Sequence, residues 1–157
     1  MEKDNKEYIN RQLVAIFNEM LVIEEAALQA SDFSDLSMRE MHTIEAIGLF
    51  GRLSSKEVAQ KLAITPGTLT VAIQNLVKKG YVERRRLEDD RRVVRLALTK
   101  KGKLIYRLHR KFHMNMVDRV TQDFDEAEVA TLVKGLTNLM AFLDEVKADV
   151  NQELDRE

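Results

Sequence analysis

The chain has 157 residues, of which 45% are hydrophobic and 32% charged, and its formal net charge is −1. It contains no cysteine, which excludes disulfides, thiolate metal ligands and a cysteine redox sensor. The charged N-terminus has no signal-peptide core and no run of about 18 apolar residues occurs, so we expect a cytoplasmic protein without a membrane span. One proline and six glycines in so charged a chain favour a mainly helical fold.

The charge is distributed unevenly along the chain. Between Lys78 and Lys111 there are fourteen basic residues and four acidic ones, whereas the rest of the chain is strongly acidic. A basic segment of this kind in a nearly neutral chain is typical of a surface that binds nucleic-acid phosphates.

Helical patterns fill the first third of the chain. Apolar residues recur at three- and four-residue steps over residues 7–30, which predicts an amphipathic helix that either packs on its own core or forms an arm against a second subunit. Ser37 and Glu40 then have the spacing of a capping box that begins a second helix, over residues 38–50, with Gly51 as its expected end.

Two short helices and a hairpin follow. Ser54 and Glu57 form a second capping-box pattern for a helix over residues 55–63, and Thr65-Pro66 is a suitable start for a helix over 66–79. The short turn between them predicts a helix-turn-helix. Segments 81–84 and 93–98 are rich in β-branched and aromatic residues, and a charged loop joins them, which predicts an antiparallel hairpin, or wing.

The remaining chain predicts two long helices. Thr99 caps the first, which extends to residue 124, and Asp125 with Glu128 forms a third capping-box pattern for a last helix to about residue 150. The expected fold class is therefore mainly α with a small β-hairpin wing. We expect a single domain over residues 1–157, with the winged helix-turn-helix at about 37–102 and long helices at 7–30 and 100–150.

The fourth predicted helix has an unusual outer face. Leu69, Ile73, Leu76 and Val77 lie on its inner side, whereas the opposite side carries small, hydroxyl and carboxamide residues and one terminal Lys, in place of the usual cover of Glu and Lys. Such side chains suit the major groove of DNA, although a merely solvated face is the alternative. The predicted DNA contacts of this helix are Thr65, Pro66, Gly67, Thr68, Thr70, Val71, Gln74, Asn75 and Lys78.

The predicted wing adds arginines to this surface. We assign Arg92 to the minor groove, whose negative potential attracts arginine, and Asp90 to bracing a neighbouring arginine or the turn. The predicted wing contacts are Arg84, Asp90, Arg91 and Arg92. Arg84, with Arg85, Arg86 and Arg95, either contacts phosphate or serves solubility.

Three segments together resemble the MarR family of winged-helix regulators: LAITPGTLTVAIQNLVKKGYVER, the element Asp90-x-Arg92, and Leu98-Thr99-Lys100-Lys101-Gly102. The resemblance extends over nearly the whole chain. It implies a homodimer, formed by the first and last helices, whose two wings straddle a pseudo-palindromic operator in double-stranded DNA. In such a dimer the two copies of the helix over residues 66–79, the recognition helices, reach successive major grooves only when they are about 34 Å apart.

Other segments are similar to the members of this family that repress fatty-acid synthesis genes: VIEEAALQ, EMHTIEAIG, DRRVVRLALTKKGKLIYRLHRKFH and GLTNLMAFL. That resemblance implies that long-chain acyl-acyl carrier protein acts as a corepressor. The apolar residues that either line an acyl pocket or belong to an ordinary core are Ile16, Phe17, Met20, Met41, Ile44, Phe112 and Met116. Arg107, Arg110 and Lys111 are candidates for contact with the acidic carrier, although DNA could claim the same charges.

Three other functions stay open at this point. A small aromatic or other apolar ligand could release a repressor of this type from DNA, and an architectural protein would bind DNA without sequence preference. An enzyme is the third: His109 and His113 are four residues apart, a spacing that can bind metal. Because a nucleophile motif and a third strong ligand are missing, we expect His42, His109 and His113 to be surface or supporting residues, with no catalytic residue, metal or cofactor.

Overall fold

A computed structural model of the chain describes residues 3–86 and 94–154. The helices are α1 (Lys3–Gln29), α2 (Met38–Ile47), α3 (Ser55–Leu62), α4 (Pro66–Lys78), α5 (Lys100–Thr121) and α6 (Glu126–Leu154), and the strands are β1 (Val82–Arg86) and β2 (Val94–Leu98). The predicted fold class, mainly α with a small β-hairpin, is confirmed. Within the described ranges, no helix has the length and apolar character needed to cross a membrane.

Local hydrogen bonds explain where the helices begin. In a capping box the side chain of the first residue accepts from a backbone N–H, and the acidic side chain three residues later accepts from the first residue's N–H. Both bonds are present in all three predicted pairs, Ser37–Glu40, Ser54–Glu57 and Asp125–Glu128. Thr65 caps α4 by accepting from the Thr68 N–H at 3.2 Å, and Pro66 occupies the first helical turn.

The end of α2 differs from the prediction. Gly48, at φ 71° and ψ 178°, ends the helix at Ile47 and donates its N–H to the Ile44 carbonyl, so Gly51 does not end the helix. Gly51 also has a positive φ, 59°, and a Cβ built there would lie 2.9 Å from the Cβ of Ala97. Its conformation and small size let the α2–α3 connection pass close to β2.

The hairpin pairs Val82 with Leu98 and continues to the pair Arg86 and Val94, so β1 runs two residues beyond the predicted strand. The connection before α3 joins this sheet through a hydrogen bond from the Leu96 N–H to the Leu53 carbonyl at 3.0 Å. The wing is therefore anchored to the helix-turn-helix along β2.

By its internal contacts the chain divides into two compact units, Met1–Arg110 and Lys111–Glu157. The core of the first unit includes the inner faces of α4 and the wing, which are almost fully buried: Leu69, Ile73, Leu76, Tyr81, Val82, Leu96 and Leu98. Val77, predicted to face inward, is instead 37% exposed. It lies roughly 80° around the helix from Leu69 and so falls at the edge of the apolar stripe.

Long apolar faces remain uncovered in both units. Among the described side chains of α1, Glu24 and Leu28 are buried. The apolar side chains of Ile16, Phe17 and Leu21 are between 54% and 60% exposed. In α6 the side chains of Val133, Leu136 and Met140 are between 52% and 56% exposed. These residues lie outside the buried core of their own unit, which favours the interpretation of α1 as an arm over that of an ordinary core helix.

Candidate nucleic-acid interface

The outer face of α4 is accessible along its whole length. All nine residues predicted to contact DNA from α4 and its N-cap are exposed: Thr65, Pro66, Gly67, Thr68, Thr70, Val71, Gln74, Asn75 and Lys78. The helix contains no acidic residue, and its inner residues are fixed in the core. The structure therefore brings these predicted contacts onto one exposed surface, on which Lys78 is the charged residue.

The hydroxyl groups of this face are already oriented by local bonds. The Thr65 and Thr68 hydroxyl oxygens are 2.8 Å apart, and the Thr70 hydroxyl donates to the Pro66 carbonyl at 2.8 Å. Because the Thr70 proton is used inside the helix, its oxygen is left as an acceptor, with a methyl group beside it. Such a side chain can accept from a base amino group or meet a thymine methyl in the major groove.

The motif Leu98-Thr99-Lys100-Lys101-Gly102 joins α4, the wing and α5. The Thr99 hydroxyl donates to the Gly80 carbonyl at 2.6 Å and accepts from the Gly102 N–H at 3.1 Å, while the Thr99 N–H donates to the Tyr81 carbonyl at 3.0 Å. A Cβ at Gly102 would lie 2.2 Å from the Tyr81 carbonyl oxygen. The sequence pattern predicted Thr99 as a helix cap, but its bonds to Gly80 and Tyr81 required the tertiary structure.

The wing holds two arginines side by side. Arg85 and Arg95 are cross-strand neighbours, an arrangement that is unfavourable unless the charges are balanced. The Arg85 Nε donates to Glu83 at 2.7 Å. Hydrogen bonds from Ser54, and to a lesser extent the charge of Arg95, hold the pKa of Glu57 below its usual value. Each arginine thus has a carboxylate nearby.

The remaining wing predictions have two outcomes. Arg84 is exposed on β1, as contact with DNA requires. Asp90, Arg91 and Arg92 lie outside the described residues, and their roles stay predictions.

Two lysines of the basic segment are engaged inside the protein. The Lys79 Nζ donates to both carboxylate oxygens of Glu40, at 2.9 and 2.8 Å. The Lys101 Nζ lies 4.1 Å from the centre of the Tyr81 ring. The count of basic residues in the sequence therefore overstates the charge that is available to a phosphate.

The residues predicted to line an acyl pocket occupy different environments. Met41 and Ile44 are fully buried in the core of the first unit, Met20 is half-buried, and Ile16 and Phe17 are exposed. Phe112 and Met116 are half-buried residues of the second unit. The pocket stays a prediction. Arg107, Arg110 and Lys111, predicted to meet the carrier protein, are exposed on α5.

His109 is largely buried and is not a surface residue. Its side chain is only 11% exposed, and its Nε2 lies 4.0 Å from the Glu24 carboxylate of α1 and 3.8 Å from that of Glu45 in α2. No sequence pattern had singled out these two acids, because they lie more than sixty residues before the histidine. His42 is exposed on α2, and His113 contacts the Phe112 ring.

Comparison with known proteins agrees with this architecture. The sequence model of the MarR family matches residues 34–93. The HTH-type transcriptional regulator SarZ of Staphylococcus saprophyticus is 33% identical over 128 residues, which cover 80% of this chain and 86% of SarZ.

Solved structures extend the comparison. The crystal structure of Streptococcus pneumoniae FabT in complex with DNA has a TM-score of 0.79 and 49% identity, and the match covers 90% of this chain and 99% of that one. A MarR family protein from Bacillus stearothermophilus, at 19% identity, shares the fold with a TM-score of 0.68 over 92% of this chain and 99% of that one. The chain belongs to the MarR family and is a winged helix-turn-helix transcriptional regulator.

Proposed function

We propose that this protein is a sequence-specific DNA-binding repressor of fatty-acid synthesis genes, with long-chain acyl-acyl carrier protein as its corepressor. The observation that carries the proposal is the 49% identity to Streptococcus pneumoniae FabT, a protein solved in complex with DNA, over 99% of that chain. The similarity of several flanking segments to repressors of fatty-acid synthesis genes supports the same target genes.

The proposed reading of DNA follows from the surface of α4. Its exposed face, which is charged at Lys78, enters the major groove, where Gln74 and Asn75 can pair bidentately with adenine. The wing contributes Arg84 and Arg91 as further DNA contacts and Arg92 to the minor groove, with Asp90 bracing a neighbouring arginine or the turn.

The proposed assembly is a homodimer of a MarR-like domain spanning the whole chain. Residues 7–30 and 100–150 supply the dimerisation helices, and the uncovered apolar faces of α1 and α6 support this assignment. A second copy would remove these faces from water and place two α4 helices on a pseudo-palindromic operator.

The proposed regulation uses the helices beside the winged domain. An acyl chain needs an apolar site, and the candidates are the residues predicted from the sequence: Ile16, Phe17, Met20, Met41, Ile44, Phe112 and Met116. Acyl carrier protein is acidic, and the exposed Arg107, Arg110 and Lys111 of α5 offer it a complementary charge. DNA-bound repressor would then be stabilised by the acylated carrier.

The experiment is a titration of DNA from the promoter of a fatty-acid synthesis gene with the protein. It is carried out with the protein alone, with unloaded acyl carrier protein added, and with carrier that is loaded with long acyl chains. We expect the loaded carrier to lower the Kd for the promoter and the unloaded carrier to leave it unchanged. If the loaded carrier weakens binding, the protein is a repressor released by its ligand. Equal binding to promoter and scrambled DNA would exclude sequence-specific repression.

Two sets of variants assign the surfaces. Gln74→Ala should relax the base preference at one operator position by about 1–3 kcal/mol. Replacing Arg107, Arg110 and Lys111 together by Ser should abolish the effect of the loaded carrier. If these substitutions weaken DNA binding without carrier by as much as they weaken it with carrier, the three residues contact DNA instead.

A further inference from the structure

A polar network lies at the C-terminal end of α4. We call it the Asp35 network, and its side chains are Asp35, Glu40, Lys79, Tyr81 and Lys101. Lys79 is the C-cap residue that follows α4, and its Nζ donates to both oxygens of Glu40, at 2.9 and 2.8 Å, and to the Asp35 carbonyl. The Glu40 side chain is only 10% exposed and the Lys79 side chain 31%, so the carboxylate of this ion pair is largely removed from water.

Tyr81 forms the other half of the network. Its side chain is fully buried, and its hydroxyl donates to the Asp35 carboxylate at 2.6 Å. Burial, and then the Asp35 carboxylate, raises the pKa of the Tyr81 phenol, which keeps it a donor. The Lys101 Nζ lies over the Tyr81 ring, 3.8 Å from the Asp35 carboxylate, and donates to the Lys79 carbonyl.

The network joins three parts of the chain that are distant in sequence. Asp35 and Glu40 belong to the turn before α2 and to its first residues, Lys79 to the end of α4, and Lys101 to the start of α5. The inner face of α4 packs through Leu69, Ile73 and Leu76, and apolar contacts are not directional. Hydrogen bonds to a buried carboxylate are directional, so they determine how the end of α4 is turned and placed.

We infer that Lys79 and Glu40 are positioning residues, which orient α4 for base reading and do not themselves contact DNA. The inference rests on the proposed function, in which the outer face of α4 enters the major groove. The neighbouring lysine, Lys78, has a different orientation. Its side chain is exposed on the outer face of α4, whereas the Lys79 side chain is bonded to Glu40.

The test compares Lys79→Met with Lys78→Met, which removes the same charge from the neighbouring position. Each variant is titrated with promoter DNA and with scrambled DNA over a range of salt concentrations. Lys78→Met should weaken both DNAs alike and reduce the salt slope by about 1, as expected for a lost phosphate contact. Lys79→Met should leave the slope unchanged and reduce the ratio of promoter to scrambled affinity by about tenfold.

A second variant separates positioning from general stability. Glu40→Gln removes the charge but keeps an oxygen that accepts from the Ser37 N–H, so the α2 cap is retained. It should reduce promoter discrimination as Lys79→Met does, and the double variant should lose little more than either single one. If Lys79→Met does not fold, Glu40→Gln carries the same test alone.

Three outcomes would overturn the inference. A reduced salt slope for Lys79→Met would show a phosphate contact. Unchanged discrimination in a variant whose Tm falls would show a structural role only. A wild-type protein that does not distinguish promoter from scrambled DNA would overturn the proposed function, and the inference with it; the first two outcomes leave the proposed function intact.

Discussion

Replacing Gly102 by alanine should destabilise the protein through a backbone clash. The new Cβ would lie 2.2 Å from the Tyr81 carbonyl oxygen, 3.1 Å from the Tyr81 carbonyl carbon and 3.3 Å from the Leu98 Cβ. A backbone carbonyl at the base of the wing cannot swing away as the end of a flexible side chain can. The start of α5 must therefore move away from the hairpin, and the Thr99 hydrogen bonds to Gly80 and Tyr81 lengthen.

The magnitude follows from three contributions to the free energy of unfolding. Overpacking of this kind costs about 1–3 kcal/mol. The weakened hydrogen bonds cost about 1 kcal/mol, whereas replacing a helical glycine by alanine returns about 1 kcal/mol. The net loss is about 2 kcal/mol, which lowers the Tm of a chain of this size by roughly 4–8 °C.

The assay is thermal unfolding followed by circular dichroism at one fixed protein concentration, because dimerisation makes the Tm depend on concentration. Gly67→Ala is the matched control, since Gly67 is also helical and a Cβ there meets nothing within 4 Å. The control should have an unchanged or slightly higher Tm. If Gly102→Ala behaves like Gly67→Ala, the close approach of α5 to Tyr81 is wrong.

Three further predictions concern the turn, the wing and the pH dependence of stability. Ala63 is the only non-glycine residue with positive φ, 52°, in the described ranges, so Ala63→Gly should relieve left-handed strain and raise the Tm by a few degrees; a lower Tm would contradict this. Glu83→Gln should release Arg85 and tighten binding to scrambled DNA at low salt, and weaker binding in a gel-shift titration would refute it. Burial raises the pKa of Glu40, but the hydrogen bonds from Lys79 and Ser37 outweigh burial and hold this pKa below its ordinary value. A lowered pKa gives stability that is present above the ordinary pKa of a glutamate and is lost as the pH falls through the folded-state pKa. Urea unfolding should therefore show a smaller acid loss for Glu40→Gln than for wild type, and equal losses would count against the Lys79–Glu40 pair.

The network and the Gly102 contact place the proposed DNA-reading elements, α4 and the wing, on a common support. The inner faces of α4 and the wing share one core, and Thr99 joins the end of α4 to the start of α5. A change in the placement of α5 would therefore reach the wing and α4 together. This gives the proposed corepressor, if it binds beside α5, a physical route to the DNA surface.

Much of the fold could be predicted because the decisive interactions are short in sequence. The two residues of each capping pair, Ser37–Glu40 and Ser54–Glu57, are three positions apart. The inner face of α4 is likewise predicted by apolar residues that recur every three or four positions, about one helical turn. The exposed outer face of α4 followed from the same period. The predicted end of α2 at Gly51 was wrong because Gly48 and Gly51 suit a helix end equally well by sequence. The observed backbone conformation shows that Gly48 ends the helix.

The tertiary structure decided which charges are free to act. Lys78 and Lys79 are indistinguishable by composition, yet one is exposed and the other is bonded to Glu40, which lies 39 residues earlier. The close approach of Gly102 to the Tyr81 carbonyl could not be predicted from the residues around Gly102 in the sequence. The sequence by itself determined the helix caps and the apolar faces of the helices, because the residues that form them lie within about one helical turn of each other. The placement of Lys79, Lys101 and Gly102 belongs to the fold, because their partners come from distant segments that meet only when the core has formed.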